Sequence, residues 1–332
     1  MIDNKLIADK PLIAEQEVPR CFLCGNDQFD NIASGYDYEY ETCSNPWNVV
    51  RCNQCGFCWL NPRPCTDQLA TIYPPDYYSY DLNSSINPIA LKAKKFIDRR
   101  KLESILKLVS GRAGRYMDIG CGDGRFLYSA EDLGFARSDI YGLELDSHCV
   151  ERLRREGFNV SAERIEDVVS VKDGSLDLVS MFHVIEHVDN PVEVVQKVAE
   201  LLSDGGVFAV ETPNMQSLDA KLFSTSFWGG YHFPRHWTFF DESSLTRLFN
   251  SCGLEVIAIK YMTGHSFWSY SFHHMFKYKY NMNGLARFFN PLRSFIAVAG
   301  FTGWDMLRAL LGFKTSSILI LGKKLADSTH SD

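Results

Sequence analysis

Residues 110–262 and 315–325 predict an α/β fold: a mostly parallel sheet with helices on both faces and a last strand running antiparallel. Three observations predict it. Short apolar runs alternate with helical patterns from Tyr116 to Lys260. The first of those runs passes through a glycine-rich turn straight into a helix. Leu176-Asp-Leu-Val-Ser-Met181 reads as a near-continuous apolar run, as strands buried on both faces of a parallel sheet do.

The chain has 332 residues, long enough for one large α/β domain and a smaller module. A net charge of −7 argues against general affinity for nucleic acid, which needs clustered Lys and Arg. The N-terminus (Met1-Ile-Asp-Asn-Lys) lacks the apolar core of a signal peptide, and no apolar run reaches spanning length. With ten cysteines in such a chain, metal and free thiols are expected rather than a disulfide frame, in a cytoplasmic setting.

Residues 1 to about 18 read as a polar, loosely held lead-in. Cys21-Phe-Leu-Cys24-Gly and Cys52-Asn-Gln-Cys55-Gly each set two thiols two residues apart, with glycine after them for the turned-back backbone. Four sulfurs suit tetrahedral zinc, so Cys21, Cys24, Cys52 and Cys55 are the expected ligands of a structural Zn2+ in a module over 1–65. The alternatives are four unrelated buried thiols, or a redox dithiol, which needs only one such pair. Cys43, Cys58 and Cys65 are read as packing or surface residues. The segment 11–80 is acidic, which counts against docking on RNA. A connector over 66–109 follows, rich in Pro and Tyr up to Tyr80 and helical from 88. Tyr73, Tyr77, Tyr78 and Tyr80 either stiffen a linker or wall a substrate pocket.

The core opens at an extended run from Arg115 to Asp118, a turn carrying Gly120, Gly122 and Gly124, and a helix from Arg125. Such glycines let the backbone approach a ligand, and the helix start presents unpaired N–H groups. A second strand, Ile140 to Leu143, ends at Glu144, about 20 residues past the glycines, where a carboxylate can accept ribose hydroxyls. The spacing is G-x-G-x-G, and Asp118 precedes it. An acid in that turn repels phosphate and suits a cation, so the inferred ligand is a phosphate-free nucleoside carrying positive charge.

These residues resemble motif I and the acidic ribose motif of the class I methyltransferases that use S-adenosylmethionine. The resemblance implies a Rossmann-like, doubly wound seven-stranded sheet, an enzyme, and a cofactor site formed by Asp118, Gly120, Cys121, Gly122, Gly124 and Glu144. It also implies Ile165 and Glu166 beside the adenine, and His183 near the methionine part.

Further elements follow in order: a helix from Ser147 closed at Gly157, a strand Asn159–Ser161, and the Leu176 strand ending in Phe182-His183-Val-Ile-Glu186-His187. The pattern His-x-x-Glu-His matches the inverted zinc-peptidase motif. Its place just past a core strand, with Val-Asp-Asn-Pro after it, resembles the methyltransferase post-strand segment instead, with His187 satisfying its own helix end. An amphipathic helix from Pro191 to Leu202 closes at Asp204-Gly-Gly, before a strand from Val207 to Thr212. The loop Phe227-Trp-Gly-Gly-Tyr231-His232-Phe-Pro-Arg235-His236 gathers imidazoles, a guanidinium and a phenol that core packing does not call for. It resembles a Pro-Arg-His segment of bacterial methyltransferases of the zinc-ribbon kind. We expect His236 as the base, His232 second, and Tyr231 and Arg235 orienting an anionic or sugar substrate. A helix capped by Asp241 and a strand Leu254–Lys260 follow.

Residues 263–314 interrupt the core before the last strand and tail (315–332). Leu285, Phe288, Phe289, Leu292, Phe295, Ile296 and Ala299 recur at helical spacing. They read either as a lid packed on the core or as a face meeting a membrane surface or a lipid-linked substrate. The expected acceptor is a small molecule, by resemblance a nucleotide-linked, lipid-linked or polysaccharide-precursor sugar, methylated on O or C. Alternatives are a quinone- or polyketide-directed enzyme, a zinc-ribbon RNA methyltransferase, and a non-catalytic cofactor-binding scaffold.

Overall fold

A computed structural model describes residues 5–74, 88–109 and 114–326. Tyr77, Tyr78 and Tyr80 lie outside them. Seven strands form the large sheet: β6 (Tyr116–Ile119), β7 (Ile140–Leu143), β8 (Asn159–Ser161), β9 (Leu176–Phe182), β10 (Leu202–Pro213), β12 (Leu254–Met262) and β13 (Ser317–Lys324). Their order is β12-β13-β10-β9-β6-β7-β8. Neighbours pair in parallel from β8 to β10, while β13 is antiparallel to both β10 and β12. The expected doubly wound seven-stranded sheet and its reversed last strand are what is observed.

The strand order reverses between β6 and β9, so their C-terminal ends open the crevice where ligands bind in such sheets. Everything chemical sits at that edge: the glycine turn after β6, Glu144 after β7, His183 to His187 after β9, and Glu211 at the end of β10. The helix Ser147–Arg155 is started by Asp146, whose carboxylate accepts from the Cys149 N–H. Asp241 and Ser244 form a capping box for Glu242–Ser251.

The second sheet has four strands in the order β11-β4-β3-β2, with β2 at Phe29–Gly35, β3 at Trp47–Cys52, β4 at Cys58–Leu60 and β11 at Thr238–Phe239. Its edge strand β11 comes from the far half of the chain, pairing Thr238 with Trp59 and Phe239 with Cys58. Phe57 meets Phe240 at 5.4 Å between ring centroids, and Cys21, Cys52, Phe57 and Trp59 share one apolar core with Met117, Val179 and Phe208. Burying each such ring stabilises by about 1.5–3 kcal/mol. Arg235, from the segment leading into β11, donates through its two terminal guanidinium nitrogens to Asp37 at 2.9 and 3.0 Å, each side chain 0% exposed.

Three expectations need correction. The lead-in is held: Ile7, Ile13 and Val18 are buried, and β1 (Glu15–Gln16) pairs with β5 (Arg63–Pro64), because apolar side chains at those three positions reach the small sheet's core. Asp204-Gly-Gly does not end before a strand. The extended chain starts at Leu202 and absorbs those residues in a register shift before Val207. The aromatic repeat of the insertion is not one helix. It breaks around Pro291 into Asn283–Phe289 and Phe295–Leu310.

The Arg235–Asp37 pair gives a stability prediction. Asp37→Ala leaves a buried guanidinium uncompensated and is expected to cost about 3–5 kcal/mol in urea unfolding, whereas Asp37→Leu with Arg235→Met costs less.

Candidate active site

The turn after β6 lies under the crevice. Gly120, Gly122 and Gly124 all have positive φ (72°, 51° and 80°). At Gly122 the direction a side chain would take is empty to 4 Å, so this backbone faces open space. Its N–H donates to Glu144 Oε2 at 2.8 Å, and Glu144 Oε1 accepts from the Asp146 N–H at 2.9 Å. Each carboxylate oxygen keeps a second lone pair, so Glu144 is positioned and still able to accept hydroxyls. Cys121 is buried beside this turn. Asp118 is buried too, and its carboxyl accepts from Ser180 Oγ at 2.5 Å, with Tyr116 Oη on the same hydroxyl. Burial pushes it up to about 7, against the pull of the Ser180 hydrogen bond and Arg125. The acid read as facing a cation therefore lies beneath the turn. Ile165 is buried on the turn Ile165–Asp167, and half-buried Glu166 sits 3.5 Å from Arg164.

At the ends of β9 and β10 a second group of side chains converges. His183 adopts φ 57°, and its ring lies between two carboxylates: Nδ1 is 3.4 Å from Glu186 Oε1 and Nε2 is 3.4 Å from Glu211 Oε1. Burial disfavours its charge, but the flanking Glu186 and Glu211 carboxylates outweigh that and push its pKa up to about 9. Its side chain keeps 38% of its surface open, so this imidazolium lines the crevice. Glu211 also pairs with Lys101, from the helix Pro88–Leu106, and accepts from Ser317 Oγ at 3.2 Å. Despite burial, Lys101 first and then His183 hold its carboxyl well below the usual range.

Behind His183 stand three more imidazoles. His236 is buried, with Nδ1 2.8 Å from the Gly230 carbonyl. A carbonyl only accepts, so Nδ1 carries the proton and Nε2 keeps its lone pair, 4.0 Å from Glu186 Oε1. Burial, and then neighbouring His187 and His232, place the His236 pKa well below the ordinary range. His187 Nδ1 lies 2.9 Å from both the Arg235 carbonyl and Tyr73 Oη, and burial lowers its pKa to about 4. His187 therefore serves the facing loop, not its own helix end. His232, at φ 39°, holds Glu39 Oε1 at 2.7 Å through Nδ1. Glu186 accepts from Thr212 Oγ1 through Oε2, while its buried Oε1 makes no hydrogen bond. Glu186, His187 and His236 offer ligand atoms within 4.8 Å of one another and could hold a metal ion.

Two residues expected to orient a substrate do not. Arg235 is spent on Asp37, and buried Tyr231 donates to the Ser224 carbonyl. Both secure the loop from within. The His-x-x-Glu-His pattern does not set two imidazoles one helical turn apart, because Ile185–His187 is a single tight turn. Sequence reasoning missed Glu211 and Lys101 as site residues. A glutamate inside Val207-Phe-Ala-Val-Glu211 was the available signal, since a carboxylate in a buried strand needs a partner.

The four cysteines also converge. Cys21 Sγ lies 3.4 Å from Cys55 Sγ and Cys24 Sγ lies 3.5 Å from Cys52 Sγ, all four within 4.8 Å. Tetrahedral zinc with bonds of about 2.3 Å needs sulfurs about 3.8 Å apart, so a small relaxation fits it. The N–H groups of Gly25 and Gly56 close each loop on the Cys21 and Cys52 carbonyls at 2.9 Å.

The family model of the methyltransferase domain matches residues 92–259. The ubiquinone biosynthesis O-methyltransferase of Cupriavidus pinatubonensis is 30% identical over 174 residues, 47% of this chain and 66% of that protein. The protein of the same name from Xanthomonas oryzae pv. oryzae is 29% identical over 106 residues, 30% of this chain and 43% of that one. The chain thus spans less than two thirds of the length of these relatives. Among solved structures, a SAM-dependent methyltransferase from Archaeoglobus fulgidus aligns over 69% of this chain and 94% of its own, at 21% identity and TM-score 0.46. A putative sarcosine dimethylglycine methyltransferase from Galdieria sulphuraria aligns over 68% and 85%, at 17% identity and TM-score 0.45. With its seven-stranded sheet and glycine turn, the chain belongs to the methyltransferase-domain family.

Proposed function

We propose that this protein is an S-adenosylmethionine-dependent methyltransferase that methylates a hydroxyl oxygen of a small molecule, with a sugar of a nucleotide-linked or polysaccharide precursor as the acceptor. One observation carries the reading. At the crevice floor a cationic His183 stands between Glu186 and Glu211, and behind it the neutral Nε2 of His236 faces a Glu186 oxygen that makes no hydrogen bond. That arrangement suits an acceptor rich in hydroxyls, whose attacking oxygen loses a proton. Gly120, Gly122, Gly124 and Glu144 would hold the cofactor, with Asp118 and Cys121 supporting the turn, Ile165 and Glu166 at the adenine side and His183 towards the methionine end. When bound, the cofactor supplies an activated methyl group. The protein's part is to hold the acceptor in line, orient it through His183 and the two carboxylates, and take its proton by Glu186 and His236.

A quinol acceptor is the second reading, supported by the likeness to ubiquinone biosynthesis O-methyltransferases. Incubation with labelled cofactor and a panel of nucleotide sugars and demethylated quinols, followed by mass analysis, separates the two. Label on the quinols alone overturns the sugar.

Several measurements bear on the site. Glu144→Ala is expected to weaken cofactor binding by roughly 1.5–3 kcal/mol in titration calorimetry, the scale of lost charged hydrogen bonds. His236→Ala is expected to lower kcat about 10²–10⁴-fold with cofactor affinity kept. Because the folded His236 pKa lies below 6.5, kcat stays level as pH falls through 6.5 and drops only at lower pH. The alkaline limb falls near pH 9, where His183 loses its charge. A limb at 6.5 would remove His236 from this role.

The four cysteines are proposed to hold structural zinc. Elemental analysis is expected to find one equivalent per chain that Cys24→Ser lacks, with a lowered melting temperature.

A further inference from the structure

The insertion between β12 and β13 buries one side of its helices and leaves the other apolar and open. In the helix Phe295–Leu310, Trp268 stacks on Phe301 at 5.6 Å and donates through Nε1 to buried Asp305 at 3.1 Å, which fixes the inward side. The opposite stripe, Ile296, Ala299, Gly300, Gly303, Trp304, Leu307 and Leu310, follows the 3.6-residue period and is exposed throughout. Leu310 is 83% exposed and Phe295 74%. Leu292, Leu311 and Phe313 extend the patch at both ends, well beyond what scattered surface residues produce.

Charge says what covers it. Residues 262–314 hold six of the chain's 34 Lys and Arg but only one of its 41 Asp and Glu; Lys277 and Lys314 pair with Glu41 and Glu242 outside the segment, which leaves four basic side chains, Lys279, Arg287, Arg293 and Arg308, against that one acid. The single acid is Asp305, turned inward onto Gly264 and Trp268. Arg293, two residues before Phe295, is exposed, as is Arg287 on the preceding helix Asn283–Phe289. We propose that this face docks on the surface of an anionic lipid bilayer, lying in the interface with its stripe among the acyl chains and its arginines at the headgroups. A tryptophan and a basic rim are the composition of interfacial helices, and no helix among the described residues is long and apolar enough to cross a membrane. A second copy of this chain would present the same basic rim and be repelled by it. The proposal does not depend on which acceptor is methylated.

The test is flotation of the full chain with phosphatidylcholine vesicles, with and without phosphatidylglycerol. The wild type is expected to float with the anionic vesicles and to be released by salt. Leu307→Ser with Leu310→Ser is expected to lower the partition coefficient at least about tenfold, and Arg287→Glu with Arg293→Glu to abolish the preference for phosphatidylglycerol. All of these side chains are outside the cofactor crevice, so cofactor affinity and melting temperature confirm folding. Wild type that stays at the bottom of the gradient overturns the proposal. So does light scattering that shows a dimer lost in the leucine variant while flotation is unchanged, which would make the stripe a self-interface.

Discussion

Asp37 and Arg235 are 198 positions apart and meet where water does not reach, and the rest of the site depends on that pair. Desolvating two charges is costly and is offset only when the geometry uses every donor well. Here two guanidinium nitrogens meet two carboxylate oxygens, and the Asp37 oxygens also accept from the N–H groups of Tyr40 and Thr42. The Phe233 carbonyl accepts from the same guanidinium at 3.1 Å. The ion pair thus fixes the backbone of 233–236. That backbone supplies the carbonyl facing His187, while the preceding turn supplies the one facing His236.

Asp37 does not act alone. Asp37, Glu39 and Glu41 alternate with tyrosines, and each takes a partner from the second half of the chain: Arg235, His232 and Lys277. Tyr278 Oη adds a bond to Glu41 at 2.6 Å. The acidity that argued against nucleic acid in the small module has an internal destination. It is complementary to the histidine loop and the insertion, and holds both against the small sheet.

Four imidazoles within one small volume do different work because their surroundings differ. His183 is half open and sits between carboxylates, so its proton is held to about pH 9. His187 and His236 lie deeper, where burial outweighs Glu186 for the first and the Gly230 carbonyl for the second, and stay neutral. Proton donor and acceptor are therefore present together at one pH, without any unusual residue.

Much of this was legible in the sequence because it is local. The glycine turn and the paired cysteines depend on spacings of a few residues, Glu144 on one of about 20 after the glycines, and the helix cap at Asp241 on its immediate neighbours. Asp118 was identified but misplaced: a strand's last residues point to alternate sides, and sequence alone does not say which side carries the ligand. Arg235 and Tyr231 were singled out as polar residues that packing did not explain. Packing does explain them, through Asp37 and the Ser224 carbonyl, partners no local pattern reveals. Lys101 was invisible for the same reason, since its role exists only through Glu211.

The insertion joins these two themes. Its first helix, His265–His274, runs so close to the histidine loop that a side chain at Gly229 would meet the Phe267 carbonyl at 2.5 Å. Ser271 Oγ accepts from the Gly229 N–H at 2.8 Å, and Gly229 opens the turn whose next carbonyl orients His236. Glycine is therefore needed there for approach, not for a special φ. The outer helix stacks on the inner one through Trp268 and Phe301, so its exposed stripe is two packed layers from the His236 imidazole. Whatever covers that stripe presses on a continuous, close-packed path to the loop, and close-packed interiors transmit small displacements rather than absorb them.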